Sequence, residues 1–165
     1  MSYQVKRIIV SLVSGTALLA AYCLYAFNPL RLSASADAGL AAWAKTMLIF
    51  IGIGIVATII IQIIFHILLS ISIAVKKKIK DESCEDKEIE RSINAEIVED
   101  EMDKLIELKS SRIGFFVSGF GLVAGLVELA FGLSPVVMLN TVFLTFMAAS
   151  LLEGVVQLVY YRKGV

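Results

Sequence analysis

Two carboxylates stand inside apolar runs of this chain, Glu128 and Glu153, and four other polar groups share that setting: Gln62, His66, Asn140 and Gln157. A charged side chain near the centre of a bilayer costs roughly 2.5–3.5 kcal/mol on insertion scales, so such groups are expected to face a bundle interior or to be neutral. The chemistry open to a membrane carboxyl is proton or substrate coupling. The alternative is an interhelical hydrogen bond, and residue type alone leaves both open. Glu128 lies about one turn from the outer end of its run and Asn140 at a similar depth on the next, which makes these two expected neighbours. Counting inward from Lys76 places His66 near the level of Glu153, which lies about two turns from Arg162. Aligning the runs as a repeat instead pairs Gln62 with Gln157.

The residues that must position these groups form a membrane protein. Hydrophobic residues make up 58% of the 165-residue chain, far above a soluble globular composition. The reading is all-α: an antiparallel four-helix transmembrane bundle with a helical cytoplasmic insertion between helices 2 and 3. Residues 1–75 form a first hairpin with spans at about 8–27 and 46–75, residues 76–112 the charged insertion, and residues 113–165 a second hairpin with spans at about 113–133 and 136–160. The first run exceeds the apolar core of a signal peptide and reads as a retained span, ended by Asn28-Pro29. Trp43 is placed as an interfacial anchor. The second run is too long for a perpendicular crossing and should tilt or project.

Thirteen of the fifteen Lys and Arg fall at 6–7, 76–112 and 162–163, which by the positive-inside rule puts both termini and the insertion in the cytoplasm. Lys76, Lys77, Lys78 and Lys80 mark where the second helix emerges and are placed to touch anionic lipid head groups. Along the third run, Gly114, Ser118, Gly121, Gly125, Glu128 and Gly132 recur at steps of four and three, a small-residue face on which a second helix can pack closely. The insertion carries Ile89, Ile93 and Ile97, continued by Met102, Leu105 and Ile106, as a thin apolar edge among carboxylates. Nothing from Met102 to Arg112 breaks a helix, so this part should run into the third span as one rod. The edge needs a partner, and the readings are the second helix, a second subunit or a separate protein.

Val13-Ser14-Gly15 and Val117-Ser118-Gly119 align, as do Thr46, Gly54, Thr58 and Gln62 with Thr141, Ala149, Glu153 and Gln157, which suggests a duplicated hairpin. Cys23 and Cys84 are not expected to pair, and there is no metal-ligand spacing, hydrolase motif or phosphate loop. The chain reads as a non-enzyme without a cofactor.

From Glu99 to Arg112 the sequence Glu-Asp-Glu-Met-Asp-Lys-Leu-Ile-Glu-Leu-Lys-Ser-Ser-Arg resembles the acidic segment of small four-span prokaryotic membrane proteins grouped as a domain of unknown function. The resemblance covers roughly 76–160 and rests on Asp100, Glu101, Asp103, Ile106, Glu107 and Lys109, while Met102 stands where that pattern often has Arg. It implies a bacterial or archaeal inner-membrane protein and no activity. Such proteins are similar to companions of small helix-turn-helix regulators, which implies a signalling context.

The first expectation is therefore a membrane interaction or regulatory protein that docks a partner through Ile89, Ile93, Ile97, Met102 and Ile106. A proton-coupled small-molecule transporter acting as a dimer through Glu128, and a lipid-binding or structural membrane protein, are the alternatives. Membrane lipids, a second copy and a cytoplasmic protein are the expected partners; direct nucleic-acid binding is not expected.

Overall fold

A computed structural model describes residues 3–28, 39–80 and 100–164. Within them the chain is all-helical: α1 (Tyr3–Ala26), α2 (Leu40–Lys80), α3 (Glu101–Ala130) and α4 (Pro135–Lys163). All four helices are long and apolar enough to cross a membrane. Large apolar side chains cover their outer faces, above all the isoleucines of α2. In water such a surface would drive aggregation, and in a bilayer it is the solvated face. At 41 residues α2 is about 60 Å long, roughly twice the hydrocarbon thickness.

Side-chain contacts set the directions of the helices. Tyr22 reaches Asn140 and Gly15 faces Leu151, so α1 runs antiparallel to α4. Gly54 faces Leu18 and Phe50 meets Tyr22, so α2 runs antiparallel to α1. Ser111 reaches Glu153 while Thr141 reaches Glu128, so α3 runs antiparallel to α4. The order is up-down-up-down, with α4 as the hub. It packs most closely on α3, then on α1, and only lightly on α2, which leans mainly on α1.

Local chemistry explains the ends. Asp100 caps α3: its Oδ1 accepts from the Asp103 N–H at 2.7 Å and Asp103 Oδ2 accepts from the Asp100 N–H at 3.2 Å. From there α3 is unbroken to Ala130, so the expected boundary at 112 falls inside one helix, and the rod begins at this cap. At the other end Gly132 adopts φ +82°, where the Leu133 N–H bonds the Glu128 carbonyl at 3.0 Å, closing the helix in a Schellman turn. Ser134-Pro135 then starts α4, with Pro at a position that needs no N–H.

The α3–α4 seam is built on glycine. Gly114, Gly121 and Gly125 are buried. A Cβ on Gly114 would lie 3.1 Å from Glu153 Oε2, one on Gly125 3.0 Å from Val142 Cγ2, and one on Gly121 would collide with Thr145. Ser118 is half-buried on the same helix. Gly132, expected in this packing face, has open space around its α-carbon and serves the turn instead. The small-residue face is thus filled by α4 of the same chain.

A second contact region lies at the other end, where Tyr22, Ala26 and Met47 are buried beneath Trp43, Phe50, Leu139, Phe143 and Leu144. Trp43, expected as an interfacial anchor, packs against this cluster. Tyr22 holds it together, its ring 5.2 Å from Phe50 edge-on and 4.5 Å from Phe143. The two hairpins do not close alike. At the proposed repeat offset the Leu18–Gly54 contact would fall on Leu122 and Ala149, but Leu122 is exposed and the Ala149 backbone faces Gly114.

Candidate functional site

Several hydroxyls inside the spans bond carbonyls of their own helices. Thr16 donates to the Leu12 carbonyl, Thr58 to Gly54, Ser70 to His66, Ser110 to Ile106 and Thr145 to Thr141, at 2.6–2.9 Å. What remains are the carboxylates and amides, and they separate into two places.

Near the α3–α4 turn, Glu128 Oε1 accepts a hydrogen bond from the Thr141 hydroxyl at 3.0 Å. Its Oε2 is buried and has no hydrogen-bond partner among the described residues. Asn140 does not meet Glu128. Its Oδ1 accepts from the Tyr22 hydroxyl at 2.6 Å and its Nδ2 donates to the Val136 carbonyl at 2.9 Å. Adjacent residues on a helix point about 100° apart. Thr141 therefore turns to α3 while Asn140 turns to α1, and the expected Glu128–Asn140 pair is corrected to two separate bonds.

Toward the end where α3 begins and α4 finishes, Glu153 Oε1 accepts from the Ser111 hydroxyl at 2.5 Å. Two turns further out, Asp103 Oδ1 accepts from the Tyr161 hydroxyl at 2.6 Å. These bonds tie the charged ends of α3 and α4 together. Beside them a cleft of about 1560 Å³ opens among α1, α2, α4 and the start of α3, and Gln62, His66, Glu153 and Gln157 all line it. Glu128 and Asn140 are not among its walls, so no single chamber gathers all six polar groups.

The third feature lies on the first turns of α3, among Glu101, Lys104, Glu107, Lys109 and Arg112, all exposed. Ile106, expected on the docking edge, is 2% exposed and belongs to the interior, next to buried Ser110 and Gly114 on the α4 side. The outward face carries Met102, Leu105 and Leu108, at 49%, 53% and 70% exposure. Ile89, Ile93 and Ile97 lie outside the described residues, as do the side chains of Lys76, Lys77, Lys78 and Lys80.

Comparison with protein-family models, with characterised proteins and with solved structures gives no match. The functional reading rests on the geometry. The groups sequence reasoning missed are Tyr22, Ser111, Thr141 and Tyr161, the hydroxyl partners of the four membrane and capping residues. A lone Tyr or Thr in an apolar run was the available signal, but a hydroxyl that can bond its own helix does not reveal a partner elsewhere. Among the described residues no group of His, Cys, Asp and Glu could hold a metal ion.

Proposed function

We propose that this chain is a small integral membrane protein of the prokaryotic inner membrane that acts by interaction, its bundle anchoring and orienting the charged start of α3 as a docking element for a cytoplasmic protein or a second subunit. The observation that carries the reading is the Met102–Leu105–Leu108 face. Three large apolar side chains spaced three residues apart are exposed on a segment whose neighbours are charged, so this face lies in water and is paired by nothing within the described chain. An amphipathic helix presented this way is a common mode of protein recognition. The segment is held rigidly, by the Asp100 cap at its start and by the Tyr161–Asp103 bond to α4. Orientation follows from charge. Lys6, Arg7, Lys104, Lys109, Arg112, Arg162 and Lys163 share one end of the antiparallel bundle, whereas Lys45 is the sole Lys or Arg of the described residues near the other.

The test places a photoreactive residue at Leu108 in living membranes. A discrete protein adduct is expected, and it should disappear when Leu105 and Met102 are both changed to Lys while the bundle stays folded. Adducts with lipid alone would count against docking.

One observation favours a second reading, coupling through Glu128. A buried acceptor without a partner costs about 1–3 kcal/mol, a cost that selection tolerates most readily where the group works. Under this reading Glu128→Gln, which keeps an acceptor for Thr141, abolishes substrate-dependent proton movement in liposomes at unchanged stability. Proton movement that survives the substitution removes it.

A further inference from the structure

We infer that the cleft among α1, α2, α4 and the start of α3 is a binding site for one membrane phospholipid with an ammonium-bearing, zwitterionic head group. The inference is independent of the docking reading. Its first support is size: about 1560 Å³ exceeds the ~300–1,000 Å³ typical of small-molecule pockets and suits a long flexible occupant.

The second support is a polarity gradient along the cleft. At the far end its walls are Met47, Leu48, Ile51, Leu139 and Phe143, all apolar. At the charged end they include Arg7, Gln62, His66, Glu107 and Gln157. A molecule with an apolar tail and a polar head fits in one direction only, head toward the charged end, as a lipid of that leaflet already lies.

The third support is unmet hydrogen bonding. The side-chain amides of Gln62 and Gln157 bond to no other described residue, although they line a cleft within membrane-spanning helices. Each amide supplies donors for phosphate or ester oxygens at the head-group level. The Glu107 carboxylate is exposed and likewise bonded to no other described residue. It supplies an acceptor for an ammonium group. Three carboxylates, Asp103, Glu107 and Glu153, line the cleft beside a single arginine, Arg7, which suits an ammonium-bearing zwitterion better than an anionic lipid.

The protein reconstituted with equal amounts of phosphatidylethanolamine and phosphatidylglycerol, then stripped with mild detergent, is examined by native mass spectrometry. One phosphatidylethanolamine per chain is expected to remain, in preference to phosphatidylglycerol. Glu107→Gln should reduce that preference about tenfold, the factor by which loss of one charge-assisted hydrogen bond weakens binding. Ala57→Phe, which fills the cleft wall, should abolish retention. If that variant does not fold, Gln62→Leu with Gln157→Leu removes the amides without adding bulk and should lower retention. Equal retention of both lipids by the parent chain, or retention unchanged in the cleft variants, overturns the assignment.

Discussion

Gly121→Leu is expected to open the α3–α4 hairpin. Any Cβ at position 121 collides with Thr145, whose own branched β-carbon is fixed to the helix backbone and cannot turn away. Even Gly121→Ala forces the helices apart, at about 1–3 kcal/mol for overpacking of a close seam. Gly119, two residues earlier, has open space around it, and Gly119→Ala should be neutral or slightly stabilising through helix propensity. The decisive variant is Gly121→Ala combined with Thr145→Gly, which moves the β-carbon across the seam and should recover part of the loss. Unfolding in bicelles measures all four. Equal stability of the Gly121 and Gly119 variants would mean that α3 and α4 do not meet at this seam.

Tyr22→Ala should release the far end of α1 and α2 from α4. Tyr22 is fully buried, its ring touches Phe50 and Phe143, and its hydroxyl holds Asn140. Removing a large buried aromatic costs about 3–5 kcal/mol, and here an acceptor on Asn140 is also left unpaired. Trp43, the single tryptophan, packs against this cluster and reports on it. Tyr22→Ala should shift and quench its fluorescence. Tyr22→Phe keeps the ring contacts, leaves the spectrum nearly unchanged, and loses about 1 kcal/mol. A Trp43 signal indifferent to Tyr22→Ala would separate α2 from the cluster.

Helix type and the four apolar spans were legible in the sequence because apolar length and the Asn28-Pro29 and Gly132-to-Pro135 breaks act locally, whereas the start of α3 at the Asp100 cap was not. The glycine stripe of α3 was legible for the same reason: its steps of three and four name a face. What covers that face was not, since Thr145, Met138 and Ala149 form the complementary surface only once the Ser134-Pro135 turn sets the register. Depth was also readable, and Glu128 and Asn140 do lie near one end. Azimuth was not. Which neighbour stands on which side of α4 depends on the handedness of the bundle, and residues one apart, Asn140 and Thr141, chose different helices.

The docking edge was half legible. Met102, Leu105 and Ile106 all read as apolar residues near charge, but whether a given one turns inward depends on where α4 ends. Tyr161 reaching Asp103 carries α4 far enough to cover Ile106, leaving Met102, Leu105 and Leu108 outside. The hub role of α4 left no mark, because its polar and apolar residues are spread around it and mark out no single face. In a bilayer lipid and protein neighbours ask for the same side chains, so hydrophobicity does not separate them.

In the proposed topology the start of α3 stands in cytoplasmic water with its apolar face uncovered while the rest of the helix lies in lipid. Thiol labelling tests it most directly. In a background with Cys23→Ser and Cys84→Ser, Leu108→Cys and the lipid-facing control Phe120→Cys are treated with a membrane-impermeant maleimide in inverted and right-side-out vesicles. Rapid labelling of Leu108→Cys in inverted vesicles alone, with Phe120→Cys silent in both, is the predicted result. Labelling of Leu108→Cys from the outside, or its protection in both orientations, would contradict the account.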